Sequence, residues 1–217
     1  MDSNVFGKPV TEGTRMQRAQ QALNNPNEGG KRGEALAYVR QLKQNWGTGV
    51  STLGIFYNAT GESMVFTQEN SSYGHIYDLY PTRVQNGQWG AFLHVKTTAA
   101  ASGSVGFVVY RVMVDDTEFC NQLISWSNPW SGTYNNQAYC DIFNDGKVDA
   151  PSEVYQKMEA IDSRQHAVIK NGLLITTKIE EGTSPLYEAE FTRADVAAMK
   201  NSADKQDVVQ ASPSIAS

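Results

Sequence analysis

The chain has 217 residues, 40% hydrophobic and 10% aromatic, with a formal net charge of -5. That length suits one domain with a sizeable core, or one domain with an appended element. The negative balance argues against nucleic acid as the main partner, and no run approaches the ~18 apolar residues of a membrane-spanning helix. The charge is uneven: residues 1–46 hold seven Lys/Arg against four Asp/Glu, net +3, which leaves -8 for the remainder. A basic excess of that size on a helical arm reads as a solvated face.

The first residues, Met1-Asp-Ser-Asn-Val-Phe-Gly7, show neither a basic nor an apolar region of a secretory signal, so no signal peptide is read there. Residues 11–24 read as a helix with Thr11 as N-cap and Met16, Ala19 and Leu23 on one face. Asn24–Gly30 breaks it, and a second helix runs from about Arg32 to Asn45 with an apolar stripe of Leu36, Tyr38, Val39, Leu42 and Trp46. Two readings stand for this arm, 1–47: packing on the domain, or a detachable amphipathic element that meets lipid.

From residue 48 the pattern becomes strand-like. Val50–Tyr57 and Ser63–Gln68 read as a hairpin around Thr60-Gly61, Asn70–Gly74 as a loop, and His75–Leu79 as a short strand. Gln88–Lys96 follows an Asn86-Gly87 turn, with Trp89, Ala91, Leu93 and Val95 on one face and Trp89 expected in the central core. Ala99–Gly103 is a small-residue loop, and Ser104–Val114 the longest strand. From Val84 to Tyr110 the only formally charged side chain is Lys96, so these strands need cover on both faces. Glu118–Ser127 and Gln137–Phe143 are strands flanking a loop at 128–136, and Ala150–Ile161 is a helix with Pro151 near its start. Gln165–Lys170 and Leu173–Ile179 form a hairpin across Asn171-Gly172, and Leu186–Thr192 closes the sheet. Ala194–Asn201 adds one or two helical turns, and the tail from Ala203 reads as disordered.

The expected fold is therefore mainly β: an antiparallel two-sheet β-sandwich over 48–193, flanked by helices. The helices near the N-terminus and at 150–161 are the candidates to cover the outer faces. Cys120 and Cys140 are expected to be free and buried, with Cys140 opposite about Ile124 and a Cys120–Cys140 disulfide the less favoured alternative.

Several short motifs occur in order: Val5-Phe-Gly-Lys-Pro9, Asn58-Ala-Thr-Gly61, Gly74-His-Ile-Tyr-Asp78, Asn86-Gly-Gln-Trp89, Ala91-Phe-Leu-His-Val95 and Gly103-Ser-Val-Gly106. They resemble the 23 kDa jasmonate-induced protein family of plants. The resemblance implies a stress- or defence-induced cytoplasmic protein and no known reaction. A second likeness, over roughly 50–192, is to the actinoporins and related fungal lectins, two-sheet sandwiches with flanking helices. Leu123-Ile-Ser-Trp-Ser-Asn-Pro-Trp130 with Tyr134 is similar to the loop that carries the actinoporin choline-headgroup site, and Tyr155 sits where that family has a tyrosine-rich helix. The arm lacks the strongly apolar start that actinoporins insert into membranes.

Little in the chain points to catalysis. His94 lies mid-strand and reads as a satisfied core histidine, while His75 and Asp78 fall on opposite faces of a strand. No metal-ligand spacing, nucleophile elbow or phosphate loop occurs, so no enzyme, metal or cofactor is expected. The aromatic cluster stands out. From Asn121 to Cys140 there is no charged residue, yet Trp126, Trp130, Tyr134 and Tyr139 are present. Either Trp126 and Tyr139 are core and Trp130 folds back over it, or the loop exposes rings that suit a sugar or a quaternary ammonium headgroup. On the second reading Ser127, Pro129, Trp130, Tyr134 and Tyr155 converge on one rim with Val105 beneath. No lysine or arginine in the loop is available to pair a phosphate. The leading expectation is a non-enzymatic stress or defence protein binding a glycan or lipid headgroup, with possible peripheral membrane contact. A membrane-permeabilising toxin and a ligand-free storage or structural protein are the alternatives.

Overall fold

The computed structural model describes residues 4–211. In chain order it contains β1 (Val5–Phe6), α1 (Arg15–Asn24), a 3-10 turn (Glu28–Gly30), α2 (Lys31–Trp46), β2 (Ser51–Ala59), β3 (Met64–Tyr73) and β4 (His75–Ile76). Then come β5 (Arg83–Val84), β6 (Trp89–Val95), β7 (Ser104–Met113), β8 (Phe119–Asn128), β9 (Gln137–Asn144) and α3 (Pro151–Ile161). The last described elements are β10 (Gln165–Lys170), β11 (Leu173–Ile179), β12 (Leu186–Arg193) and α4 (Ala194–Ala211).

The described strands form two sheets. One runs β1-β6-β2-β12-β11-β10, with β4 also on β6; the other runs β5-β3-β7-β8-β9. The mainly β two-sheet sandwich with flanking helices is thus the architecture found, and its layers follow from strands that are apolar on both faces. β2 and β6 are buried along their whole length. One side of β6 sends Phe92 into the space between the sheets, where it meets Phe56, Tyr110, Trp126 and Tyr187. The other side sends Trp89, Ala91, Leu93 and Val95 under α1 and α2, against Ala19, Leu23, Ala35 and Val39. On the second sheet, Val105, Phe107, Val109 and Leu123 are covered by Val154 and Met158 of α3. The helices cover the outer faces as expected, because an exposed apolar sheet face would forfeit ~25 cal/mol per Å² of burial.

The first two helices are fastened as well as packed. Arg15 and Arg18 both reach Glu62, at 2.9 and 2.6 Å, and Arg32 reaches Glu188 at 2.7 Å. The helical N-cap is Thr14, not Thr11. Its hydroxyl accepts from the Gln17 N–H and the Gln17 side chain accepts from the Thr14 N–H, a reciprocal box that Thr11 has no partner to make.

Three other expectations change. β2 and β3 are not a hairpin: β2 pairs with β6 and β12, while β3 pairs with β5 and β7. The chain turns a corner between sheets at 60–63, because fully buried β2 belongs in the helix-covered sheet while the polar run at 67–72 tolerates the edge of the other. β3 also continues through the expected loop to Tyr73, absorbing the polar run with register shifts between Phe66 and Gln68 and between Ser71 and Tyr73. β12 lies parallel to β2, although the sandwich is otherwise antiparallel among the described residues. The hairpin of β10 and β11 matches the expectation: Asn171 and Gly172 both have positive φ, at 53° and 72°, as a two-residue turn of this hand requires.

Trp89 is buried, yet it lies between sheet and helices, not between the sheets. Its indole N–H donates to the Pro26 carbonyl at 2.7 Å, so the partner that decides its side comes from the helical arm. Cys140 stands opposite Ile124, and both cysteines are free and buried; burial pushes each thiol up to about 12. α4 runs to Ala211, further than one or two turns, since no Gly or Pro interrupts the stretch before Pro213. The rest of the expected disordered tail, 212–217, lies outside the described residues.

Candidate functional site

At one end of the second sheet, a single row of register partners crosses four strands. Tyr73 of β3 stands opposite Val105 of β7, Val105 opposite Ser127 of β8, and Ser127 opposite Gln137 of β9. All four residues line one groove of about 450 Å³. Val105 and Ser127 are buried and form its floor. Pro129, Trp130 and Tyr134 stand over it from the loop, and Tyr155 and Glu159 stand over it from α3. The structure therefore brings all six sequence-selected residues, Val105, Ser127, Pro129, Trp130, Tyr134 and Tyr155, to one groove.

The loop is held at both ends. The Asn128 amide donates to the carbonyls of Ser51 at 2.9 Å and Thr183 at 3.2 Å. The Asn136 amide donates to those of Glu180 at 2.9 Å and Gly182 at 3.0 Å. Between these posts the Tyr134 N–H donates to the Ser131 carbonyl at 3.2 Å. Gly103 is required beneath the loop, because a Cβ there would strike the Asn128 carbonyl oxygen and the Pro129 backbone. Trp126 and Tyr139 are core, but Trp130 does not fold back over it: it is 50% exposed, Tyr134 70% and Tyr73 53%. Exposed rings gathered at one groove, not scattered singly, are what aromatic recognition uses.

Three contributors were not read from the sequence. Tyr73 arrives only because β3 runs past the expected loop. Glu159 lies one helical turn beyond Tyr155, a spacing that was legible. Burial and then the neighbouring Glu159 push the Tyr155 phenol up to about 12. The third is Lys96, whose ammonium lies 5.0 Å from the centre of the Trp130 ring. The loop itself has no basic residue, but the fold supplies one from the end of β6.

The other candidates resolve as structure. His94 is fully buried between the Ser104 hydroxyl at 2.8 Å and the Ser71 hydroxyl at 3.1 Å, and burial lowers its pKa to about 3. Among the described residues, no three His, Cys, Asp or Glu side chains gather as metal ligands, and no helix is long and apolar enough to cross a membrane.

The model of the Nakanori-like protein family matches residues 3–196. The chain belongs to this family. It is also 39% identical over 160 residues to the 23 kDa jasmonate-induced protein of Hordeum vulgare, covering 67% of this chain and 75% of that protein. The relationship read from the short motifs between Val5 and Gly106 is thereby borne out. Among solved structures, the lipid-binding protein Nakanori superposes with a TM-score of 0.79 over 87% of this chain and 100% of its own, at 22% identity. That establishes a common fold. A Xerocomus chrysenteron lectin reaches a TM-score of 0.46 over 67% of this chain and 100% of its own, at 12% identity.

Proposed function

We propose that this Nakanori-like chain is a non-enzymatic stress or defence protein that binds a choline-type lipid headgroup in the aromatic groove. The observation that carries the reading is the convergence of Tyr73, Trp130, Tyr134 and Tyr155 on one groove with the Glu159 carboxylate. A quaternary ammonium cannot be satisfied by hydrogen bonds. It is held by ring faces, each contributing ~0.5–2 kcal/mol, and by a nearby negative charge. On this reading the buried Ser127 on the floor would donate to a phosphate oxygen, and Lys96, against the Trp130 ring, would add positive charge nearby. The lipid binding for which Nakanori is named, on the same fold, supports this reading. The name of the barley relative supports a role under jasmonate-linked stress. A cytoplasmic site of action is part of the proposal, and the two free thiols suit a reducing compartment.

The test is titration of phosphocholine while tryptophan emission is followed, with sedimentation against phosphatidylcholine vesicles in parallel. Binding in the micromolar to millimolar range is expected, lost in Trp130→Ala with the melting temperature intact. Binding that survives Trp130→Ala, Tyr134→Ala and Tyr155→Ala together would place the site elsewhere. No binding of any headgroup would leave the ligand-free storage reading.

A further inference from the structure

The loop that walls the aromatic groove has a second side. Beyond it lies a separate cleft of about 440 Å³, between the loop, the turn at 162–164 after α3 and the turn at 181–183 before β12. This volume falls within the range of small-ligand sites. Pro129, Trp130 and Tyr134 border it too, but most of the other side chains that line it are polar, among them Asn135, Asp162, Arg164 and Glu181. The same Asn128 and Asn136 amides that hold the loop also tie it to the 180–183 backbone, so the walls are set before any ligand arrives. At the base, the Gln137 amide donates to Asp162 Oδ1 at 2.8 Å; Gln137 lines the groove and Asp162 the cleft, so this bond divides the two.

The cleft keeps hydrogen-bonding capacity in reserve. The Asn135 side chain makes no hydrogen bond among the described residues. Arg164 spends Nη1 on Glu181 Oε1 at 2.6 Å, with its other donors pointing at no protein acceptor among the described residues. This mixture sorts the possible ligands. A bare anion would meet the Asp162 and Glu181 carboxylates, and a bare cation would meet Arg164. An apolar group would strip water from four polar side chains and return nothing. A polyhydroxylated ring answers all of them: each hydroxyl both donates to a carboxylate and accepts from an amide or guanidinium. Its C–H face suits an exposed indole or phenol ring.

The geometry points to this cleft as a carbohydrate site that takes one pyranose residue, separate from the aromatic groove and sharing only its loop wall. It rests on the polar cleft and not on the headgroup reading, so either can fail alone. The sugar is carried by a soluble glycan or by a glycosylated lipid.

The test is saturation-transfer NMR on the full chain with methyl glycosides of glucose, galactose, mannose and N-acetylglucosamine, backed by a printed glycan array. At least one sugar should bind at roughly millimolar Kd, without displacement by phosphocholine. Arg164→Ala, Asp162→Asn and Glu181→Gln, all at residues that line the cleft and not the groove, should each weaken it at least tenfold. Asparagine tolerates the φ of 44° at position 162, so that variant keeps the turn. Tyr73→Ala and Tyr155→Phe, which touch only the groove, should leave it unchanged. A blank array with no NMR signal overturns the proposal. So does a sugar displaced by phosphocholine that is lost in Tyr73→Ala yet kept in the three cleft variants. Sedimentation with phosphatidylcholine vesicles, with and without glucosylceramide, then names the source: retention raised by the glycolipid means a membrane-borne sugar, and unchanged retention a soluble one.

Discussion

Lys96 holds its ammonium 5.0 Å from the centre of the Trp130 ring, and the same nitrogen donates to the Ala100 carbonyl at 2.7 Å. One side chain thus joins the 97–103 loop to the 129–135 loop, two walls of the groove that are far apart in sequence. Lys96→Met keeps the stem and removes both contacts. An exposed cation–π contact contributes only ~0.5–1 kcal/mol, so the melting temperature should barely move. Trp130 should become more mobile, seen as lower tryptophan anisotropy when Trp130→Phe is used to isolate its signal. Phosphocholine affinity should fall about three- to tenfold. Unchanged anisotropy would show that Lys96 does not tether the loop.

Phe92 lies across Gly54, its register partner on β2, just as Phe56 lies across Gly90. A methyl group at position 54 would collide with the Phe92 ring, which is itself packed against Trp126 at 4.8 Å between centroids. Gly54→Ala should destabilise by ~1–3 kcal/mol, the usual cost of overpacking a filled core. Urea unfolding gives the number, and a neutral result would mean that the ring has room to move.

Trp89→Ala should cost ~3–5 kcal/mol. The ring packs on Tyr57 at 5.0 Å and binds the Pro26 carbonyl, so the loss falls on the layer between sheet and helices. Hydrogen exchange in α1 and α2 should therefore rise before exchange in the second sheet. A variant with normal melting and normal exchange would refute this placement.

Stability should fall in mild acid. The folded-state pKa of His94 is depressed to about 3 from 6.5, by burial first and by His75 second, and burial also lowers that of His166. Below pH 6.5 the unfolded chain takes up protons that the folded chain refuses, so stability is fully present above that pH and is lost as pH drops toward 3. The slope from His94 alone approaches about 1.4 kcal/mol per pH unit. Chemical denaturation between pH 4.5 and 7 should show it, and His94→Gln should flatten it. An equal slope in that variant would assign the effect to other groups.

Phosphatidylcholine vesicles should retain an entrapped dye in the presence of the full chain. The apolar faces of α1 and α2 are spent on the β2 and β6 side chains, and Arg15, Arg18 and Arg32 anchor them by ion pairs. Releasing the arm would expose Ile55, Tyr57, Trp89 and Leu93 to water. Leakage that depends on residues 1–46 would show that the arm does detach and would restore the permeabilising alternative.

Much of this molecule was legible one element at a time. Unbroken apolar runs marked β6 and β7 as covered on both faces, Asn171-Gly172 set the hairpin of β10 and β11, and counting back from the loop put Cys140 opposite Ile124. The aromatic, uncharged stretch around Trp130 identified most of the groove. What local pattern does not carry is the partner of each strand. Alternation reports which face of a strand is apolar, but not which sheet it joins, so β2 and β3 looked like a hairpin and the parallel pairing of β12 with β2 left no trace. The same limit hid Tyr73 and Lys96, which come to the loop at 128–136 from more than 30 positions away in the chain. Burial is a property of the whole packed chain, and only the packing of two sheets against each other and under the helices that cover their outer faces decided which side chains would meet.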